Sequence, residues 1–151
     1  QTGVIDATEW VGPYNDRAFG LHKAAKYYYY PGWHEPGPTI ECMINKDKYN
    51  SLPTDLKLVI DIACKAINLD MLSDYTAKNN LALQFLKSEN IDILKFPNEV
   101  LTKLKAISDE ILKEISSTDE ITNEVYKSYV SFKDDVEPWT DISDKSYLDI
   151  R

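Results

Sequence analysis

The sequence predicts a helix-rich α/β chain in which a few short strands stand before and between long helices. Three observations carry that reading. Apolar residues recur at spacings of three and four from Leu56 onward, with no Pro or Gly from Thr54 to Ser88. Two further amphipathic runs follow, at about 99–116 and 119–134. Short runs rich in β-branched and aromatic residues, bounded by Gly, Pro or Asn, occur at 4–10, 27–30, 39–45 and 91–96.

Taken in order, Val4 to Trp10 alternates weakly and reads as a first strand, ended by Gly12-Pro13. Asn15 suits the cap of a short helix from Asp16 to Lys26, with Ala18, Phe19, Leu21, His22 and Ala25 near one face. Tyr27–Tyr30 is the second strand, its tyrosines expected to alternate between the core and the opposite side. Thr39–Asn45 is the third and alternates only partly, as a strand covered on both faces does.

Beyond it the character changes. Lys46–Asn50 is a helical turn, and Pro53 suits the opening of a long helix over about 53–88 whose stripe is Leu56, Val59, Ile60, Ala63, Ile67 and Met71. Such a helix is about 50 Å long at 1.5 Å per residue. That exceeds what a globule of this size accommodates, with a radius of gyration near ~15 Å. The helix must bend, break, span two lobes or project toward another molecule. Ile91–Phe96 is a fourth strand, closed by Pro97. Asn98 caps a helix over Glu99–Ser116, another runs from Asp119 to Asp134, Pro138 stops that segment, and Ser143 caps a last turn with Tyr147 and Leu148.

The totals bound the function. A chain of 151 residues is about one domain. A net charge of −8 without a basic stripe argues against a nucleic-acid partner and against an anionic membrane surface. No apolar run approaches the roughly 20 residues that span a bilayer, so direct membrane insertion is not expected. Cys42, in a strand-like run, and Cys64, on an apolar helix face, read as free thiols acting as small hydrophobes, without metal-ligand spacing. The chain opens Gln-Thr-Gly-Val-Ile-Asp, with neither an initiator Met nor a signal-peptide pattern, and four separated strands cannot pair convincingly by themselves. It reads as the back part of a larger α/β protein.

The densest chemistry lies in Tyr27-Tyr-Tyr-Tyr-Pro-Gly-Trp-His-Glu-Pro-Gly-Pro38. The tyrosines favour extended backbone, and the prolines and glycines exclude helix and shape a rigid loop. Trp33, His34 and Glu35 stand at its tip. One reading is a loop that lines a ligand, the other a strand end and turn whose tyrosines pack the core.

Gly3-Val-Ile-Asp-Ala-Thr-Glu-Trp-Val-Gly-Pro13, Tyr27–Gly37, Asn45-Lys-Asp and Leu52-Pro-x-Asp-Leu56 fall in order, and are followed by Phe96-Pro-Asn-Glu-Val100 and Val136-Glu-Pro-Trp139. Together they resemble the C-terminal half of the solute-binding receptors of TRAP transporters, the DctP family, in the branch that binds α-keto acids and related small carboxylates. The resemblance covers essentially the whole chain. It implies the C-terminal portion of a two-lobed periplasmic solute-binding fold, a partial receptor over 1–151. Residues 1–45 would form the strand, loop and hinge segment of the cleft, and 46–151 the helical portion, whose long helix spans or braces the lobes. It implies capture of a small organic carboxylate, delivery to membrane permease subunits, and a homodimer in some members.

A small carboxylate calls for a fixed cation, best an arginine fork. Only Arg17 and Arg151 are present, in the polar part of a short helix and at the terminus. The family's clamping arginine belongs to an earlier part. The resemblance carries over a cation such as Na⁺ or Ca²⁺ held by Glu9, the Trp10 backbone and Glu35, with Trp10, Trp33 and His34 on the ligand side and Asn45 at the hinge. No organic cofactor is implied. Taken alone, Glu9 reads as an exposed strand-end carboxylate, the two tryptophans as core, and His34 as a solvent-facing turn residue. No nucleophile elbow, phosphate-cradling glycine loop or metalloprotease helix is present, and an enzyme is not expected. The remaining alternative is a helical dimerisation or interaction module with no ligand of its own.

Overall fold

A computed structural model describes residues 2–37 and 40–151. They fall into two units, Gln1–Phe96 and Pro97–Arg151.

The first unit is built on one long helix. Residues 2–12 carry no strand; α1 (Pro13–Ala18) follows, then a 3₁₀ turn (Leu21–Lys23), strand β1 (Tyr27–Tyr30), α2 (Lys46–Ser51), α3 (Thr54–Ser88) and strand β2 (Asp92–Lys95). Two of the four expected strands therefore form. Val4–Trp10 and 40–45 are without strand pairing, and Thr39 lies outside the described residues. A β-rich composition makes a strand only where a partner edge is offered, and among the described residues the one ladder is parallel β1–β2, with Tyr28 opposite Ile93 and Tyr30 opposite Lys95. The ladder is extended by Asp92 N–H donating to Lys26 O and Phe96 N–H to Tyr30 O.

The first helix also differs from expectation. It starts at Pro13, where the missing N–H costs nothing and φ is already helical, so Asn15 lies inside the helix and is not its cap. Helix ends before Gly20, whose left-handed φ of 70° separates α1 from the 3₁₀ turn. The cap comes from far along the chain, since Asn79 Oδ1 on α3 accepts the Tyr14 backbone N–H at 3.0 Å.

The segment from α1 to the 3₁₀ turn lies on the C-terminal third of α3. Tyr75, Asn79, Ala82 and Leu86 recur on one face of that helix. Ala82 and Leu86 are the buried apolar residues among those described. Tyr14 meets Tyr75 edge-on, His22 meets Phe85 edge-on at 5.3 Å, and the Arg17 guanidinium lies 3.9 Å over the Phe85 ring. The other two-thirds of α3 carries Leu56, Leu58, Val59, Ile62, Ile67, Leu69 and Leu72 exposed. A helix apolar around so much of its circumference is one suited to burial.

The second unit is a helical hairpin, α4 (Asn98–Ser116) and α5 (Glu120–Thr140), ending in a π-helical turn (Asp141–Lys145) and α6 (Ser146–Asp149). Asp119 caps α5, accepting from Thr122 N at 2.8 Å and Thr122 Oγ1 at 2.7 Å. Asn98 is the first residue of α4 rather than its cap. Pro138 does not stop α5. It removes one N–H near the helix end, and the Asp141 N–H still bonds back to Glu137 and Pro138. The break falls at Ser143, whose φ/ψ of −102°/−109° is non-helical. Its hydroxyl donates back to Trp139 O at 2.7 Å instead of capping α6. No helix of the described residues is long and apolar enough to cross a membrane.

Candidate functional site

Two irregular segments of the first unit converge. One carries Glu9 and Trp10 and runs into α1 through Gly12. The φ of +153° at Gly12 suits glycine, and a Cβ there would stand 3.4 Å from the Asn79 amide oxygen. The other is the loop after β1, entered through a cis Tyr30–Pro31 bond. It turns tightly at Gly32, where a Cβ would meet the Glu35 carbonyl oxygen at 3.3 Å.

At their meeting point Glu9, His34 and Glu35 bring one ligand atom each to within 4.8 Å of one another. His34 Nε2 lies 3.4 Å from Glu9 Oε2, with both side chains roughly half exposed. Calcium–oxygen bonds of 2.3–2.6 Å allow ligands on one ion to stand up to ~5 Å apart, so this spacing fits a shared hard cation. The two tryptophans flank the cluster differently. Trp33 tilts against the His34 ring at 5.0 Å. Trp10 packs edge-on against Phe19 and, with Thr8, Glu9 and Leu21, lines a shallow hollow. Trp10 is 50% exposed and Trp33 41%, so neither is core among the described residues.

Other expectations resolve otherwise. Asn45 uses its side chain as the N-cap of α2, accepting from Asp47 N and Lys48 N at 3.1 Å. Of the tyrosine run only Tyr28 turns inward. Tyr27, Tyr29 and Tyr30 are exposed, and Tyr29 stacks on Phe96 at 5.0 Å. Arg17 is held against Phe85 and Arg151 is exposed at the terminus. Cys64 is exposed, not packed on an apolar face. Its thiol is pushed up by desolvation and by hydrogen bonding to the Cys42 thiol.

Sequence reasoning missed the polar pair between these two segments. Tyr28 Oη donates to Asp16 Oδ2 at 2.6 Å, and Asp16 is only 7% exposed. Burial pushes the Asp16 carboxyl up, against the opposing pull of the Tyr28 hydrogen bond. Burial, reinforced by the neighbouring carboxylate, pushes the Tyr28 phenol well above its usual range, so it remains a donor. The pair lines a small cavity with Thr8, Trp10, His22 and Leu86. Nothing in local sequence announces it, because Asp16 reads as an ordinary first-turn helix acid.

Over residues 1–119 the chain matches the bacterial extracellular solute-binding proteins of family 7, DctP. It belongs to the DctP family. A curated relative, the monocarboxylate 2-oxoacid-binding periplasmic protein of Nostoc sp. (strain PCC 7120), is 38% identical over 145 residues. The alignment takes in 96% of this chain and 40% of that protein, so the chain spans about two-fifths of the relative's length. Among solved structures, a TRAP transporter solute-binding protein from Bordetella bronchiseptica RB50 superposes with a TM-score of 0.94 at 32% identity, over 98% of this chain and 44% of the other. That crystal holds a mixed-occupancy dimer with copurified calcium and picolinate in one active site and an apo site in the other. The expected DctP membership and the helix-rich α/β architecture are thus borne out, as part of a longer receptor fold.

Proposed function

We propose that this chain is the part of a periplasmic TRAP-type receptor that holds the cation and one side of the ligand, and that the receptor captures a small 2-oxoacid. The observation that carries the reading is the convergence of Glu9, His34 and Glu35, three residues from two segments 25 positions apart, at a spacing one cation can bridge. Glu9 and Glu35 would ligate through carboxylate oxygens and Trp10 through its backbone carbonyl, the hard donors that Ca²⁺ or Na⁺ takes. Trp10, Trp33 and His34 would face the ligand. The cation would supply the positive charge that a small carboxylate needs and that Arg17, turned onto Phe85, does not offer.

The chemistry of the relatives' ligands supports the class. A 2-oxoacid and picolinate both place a lone-pair donor on the carbon next to the carboxylate, a keto oxygen in one and a ring nitrogen in the other. Either can chelate a cation in a five-membered ring. Delivery to membrane permease subunits, a homodimeric assembly and the absence of catalysis belong to the same proposal.

The test is tryptophan fluorescence of the full-length protein titrated with pyruvate, 2-oxobutyrate and lactate, with and without Ca²⁺ or Na⁺. A saturable, cation-dependent response to the 2-oxoacids is expected. Silence across the panel would remove the 2-oxoacid assignment. A response unchanged by Glu9→Ala and Glu35→Ala together would remove the cation site. A stable dimer with no ligand response would favour a helical interaction module instead.

A further inference from the structure

The two segments that carry the proposed cation ligands are themselves irregular. Residues 2–12 and 31–37 form neither helix nor strand. Among the described residues the side-chain hydrogen bond that begins in the first segment is local, from Thr8 Oγ1 to Glu9 O. Each segment therefore takes its position from the element it is attached to. Glu9 precedes Asp16 of α1 by seven residues, and Glu35 follows Tyr28 of β1 by seven.

Those two anchors are joined directly. The Tyr28 phenol donates to Asp16 Oδ2 at 2.6 Å, in a place where Asp16 is almost entirely withdrawn from solvent. The only other polar link between the two arms in the described residues is the exposed His34–Glu9 contact at 3.4 Å. A solvent-exposed pair contributes little rigidity, whereas a short hydrogen bond to a carboxylate in a low-dielectric setting is strong and directional. Each end of the inner bond belongs to an ordered element. Asp16 rides on α1, held to α3 through Asn79 and by Arg17 on Phe85. Tyr28 sits in the ladder opposite Ile93.

We propose that the Asp16–Tyr28 hydrogen bond is a positioning clasp that sets the separation of Glu9 from Glu35, and that Asp16 and Tyr28 are positioning residues for the cation site. The proposal rests on the cation-site reading above. It gives the tyrosine run a role that its exposed members do not have, because Tyr28 alone turns inward.

The experiment is calorimetric titration of the full-length protein with CaCl₂ alone, alongside thermal melting in chelator. Tyr28→Phe, which removes one oxygen and keeps the ring, is expected to weaken Ca²⁺ binding by about 10-fold, the scale of one lost hydrogen bond to a charged group. Asp16→Ala should do the same, and Asp16→Asn, which keeps an acceptor for the phenol, should restore most of the affinity. Lower melting temperatures for Tyr28→Phe and Asp16→Ala with an unchanged Ca²⁺ affinity would overturn the clasp, leaving the pair merely structural. Should Asp16→Ala fail to fold, Tyr28→Phe alone decides. A Glu9→Ala variant that binds Ca²⁺ as the parent does would overturn the cation site, and the clasp with it.

Discussion

Asn79 and Tyr14, 65 positions apart, are joined by the bond that starts the first helix, the Asn79 side chain accepting the Tyr14 backbone N–H at 3.0 Å. Gly12, at the cap position, has no side chain with which to do this. The long helix therefore supplies the cap that the local sequence lacks, and through α1 it also sets where the Glu9 segment ends.

Replacing that cap should be felt locally. Asn79→Ala is expected to cost about 1 kcal/mol, the usual value of a lost N-cap, and Asn79→Asp to cost much less. Urea unfolding of the three proteins side by side measures the difference.

Among the described residues Leu86 is the largest fully buried side chain, 1% exposed under α1 and the 3₁₀ turn. Leu86→Ala should destabilise by about 2–5 kcal/mol, since the transfer term and the cavity left behind add. A loss under 1 kcal/mol, read from the same unfolding curves, would show that this junction is not a packed core.

The Asp16–Tyr28 bond has a pH signature. The Tyr28 phenol is raised above its ordinary 10.0, so the folded chain holds that proton more tightly than the unfolded one. Its contribution is fully present below pH 10 and is lost as pH rises beyond it. At neutral pH, Tyr28→Phe should cost about 1–2 kcal/mol for the missing bond. The gap between parent and variant should narrow at alkaline pH, as followed by urea unfolding across a pH series.

Asp119 predicts the opposite limb. Its carboxyl is held below the ordinary 3.8 first by the Thr122 backbone N–H and then by the Thr122 hydroxyl. The stability it lends α5 is present above pH 3.8 and is lost as pH falls through its lowered value. Asp119→Ala should reduce helicity at neutral pH, measured by circular dichroism, and the difference from the parent should fade toward pH 2.

The long helix α3 was legible for a physical reason. The spacing of Leu56, Val59, Ile60, Ala63 and Ile67 and the lack of Pro or Gly through Ser88 are local properties, and α3 ends where they end. Strands are not local. Val4–Trp10 has the composition of a strand but no neighbouring edge among the described residues, while Tyr27–Tyr30 has Asp92–Lys95 beside it. The same distinction divides the site. Glu9, His34 and Glu35 were readable only through family resemblance, because nothing in their spacing announces that they meet. Asp16 and Tyr28 were not readable at all, since their pairing requires α1 and β1 to be already in place.

The β1–β2 ladder joins the candidate site to a late part of the chain. Tyr27 and its partner Asp92 stand 65 positions apart, with all of α3 between them. A contact that distant pays a loop-closure cost that local helix formation does not. While the polypeptide is being synthesised, the loop bearing His34 and Glu35 emerges well before the strand that will hold its base. Its base gains that partner only once residues 92–95 have been added, so the proposed cation site is completed after α3 has been made.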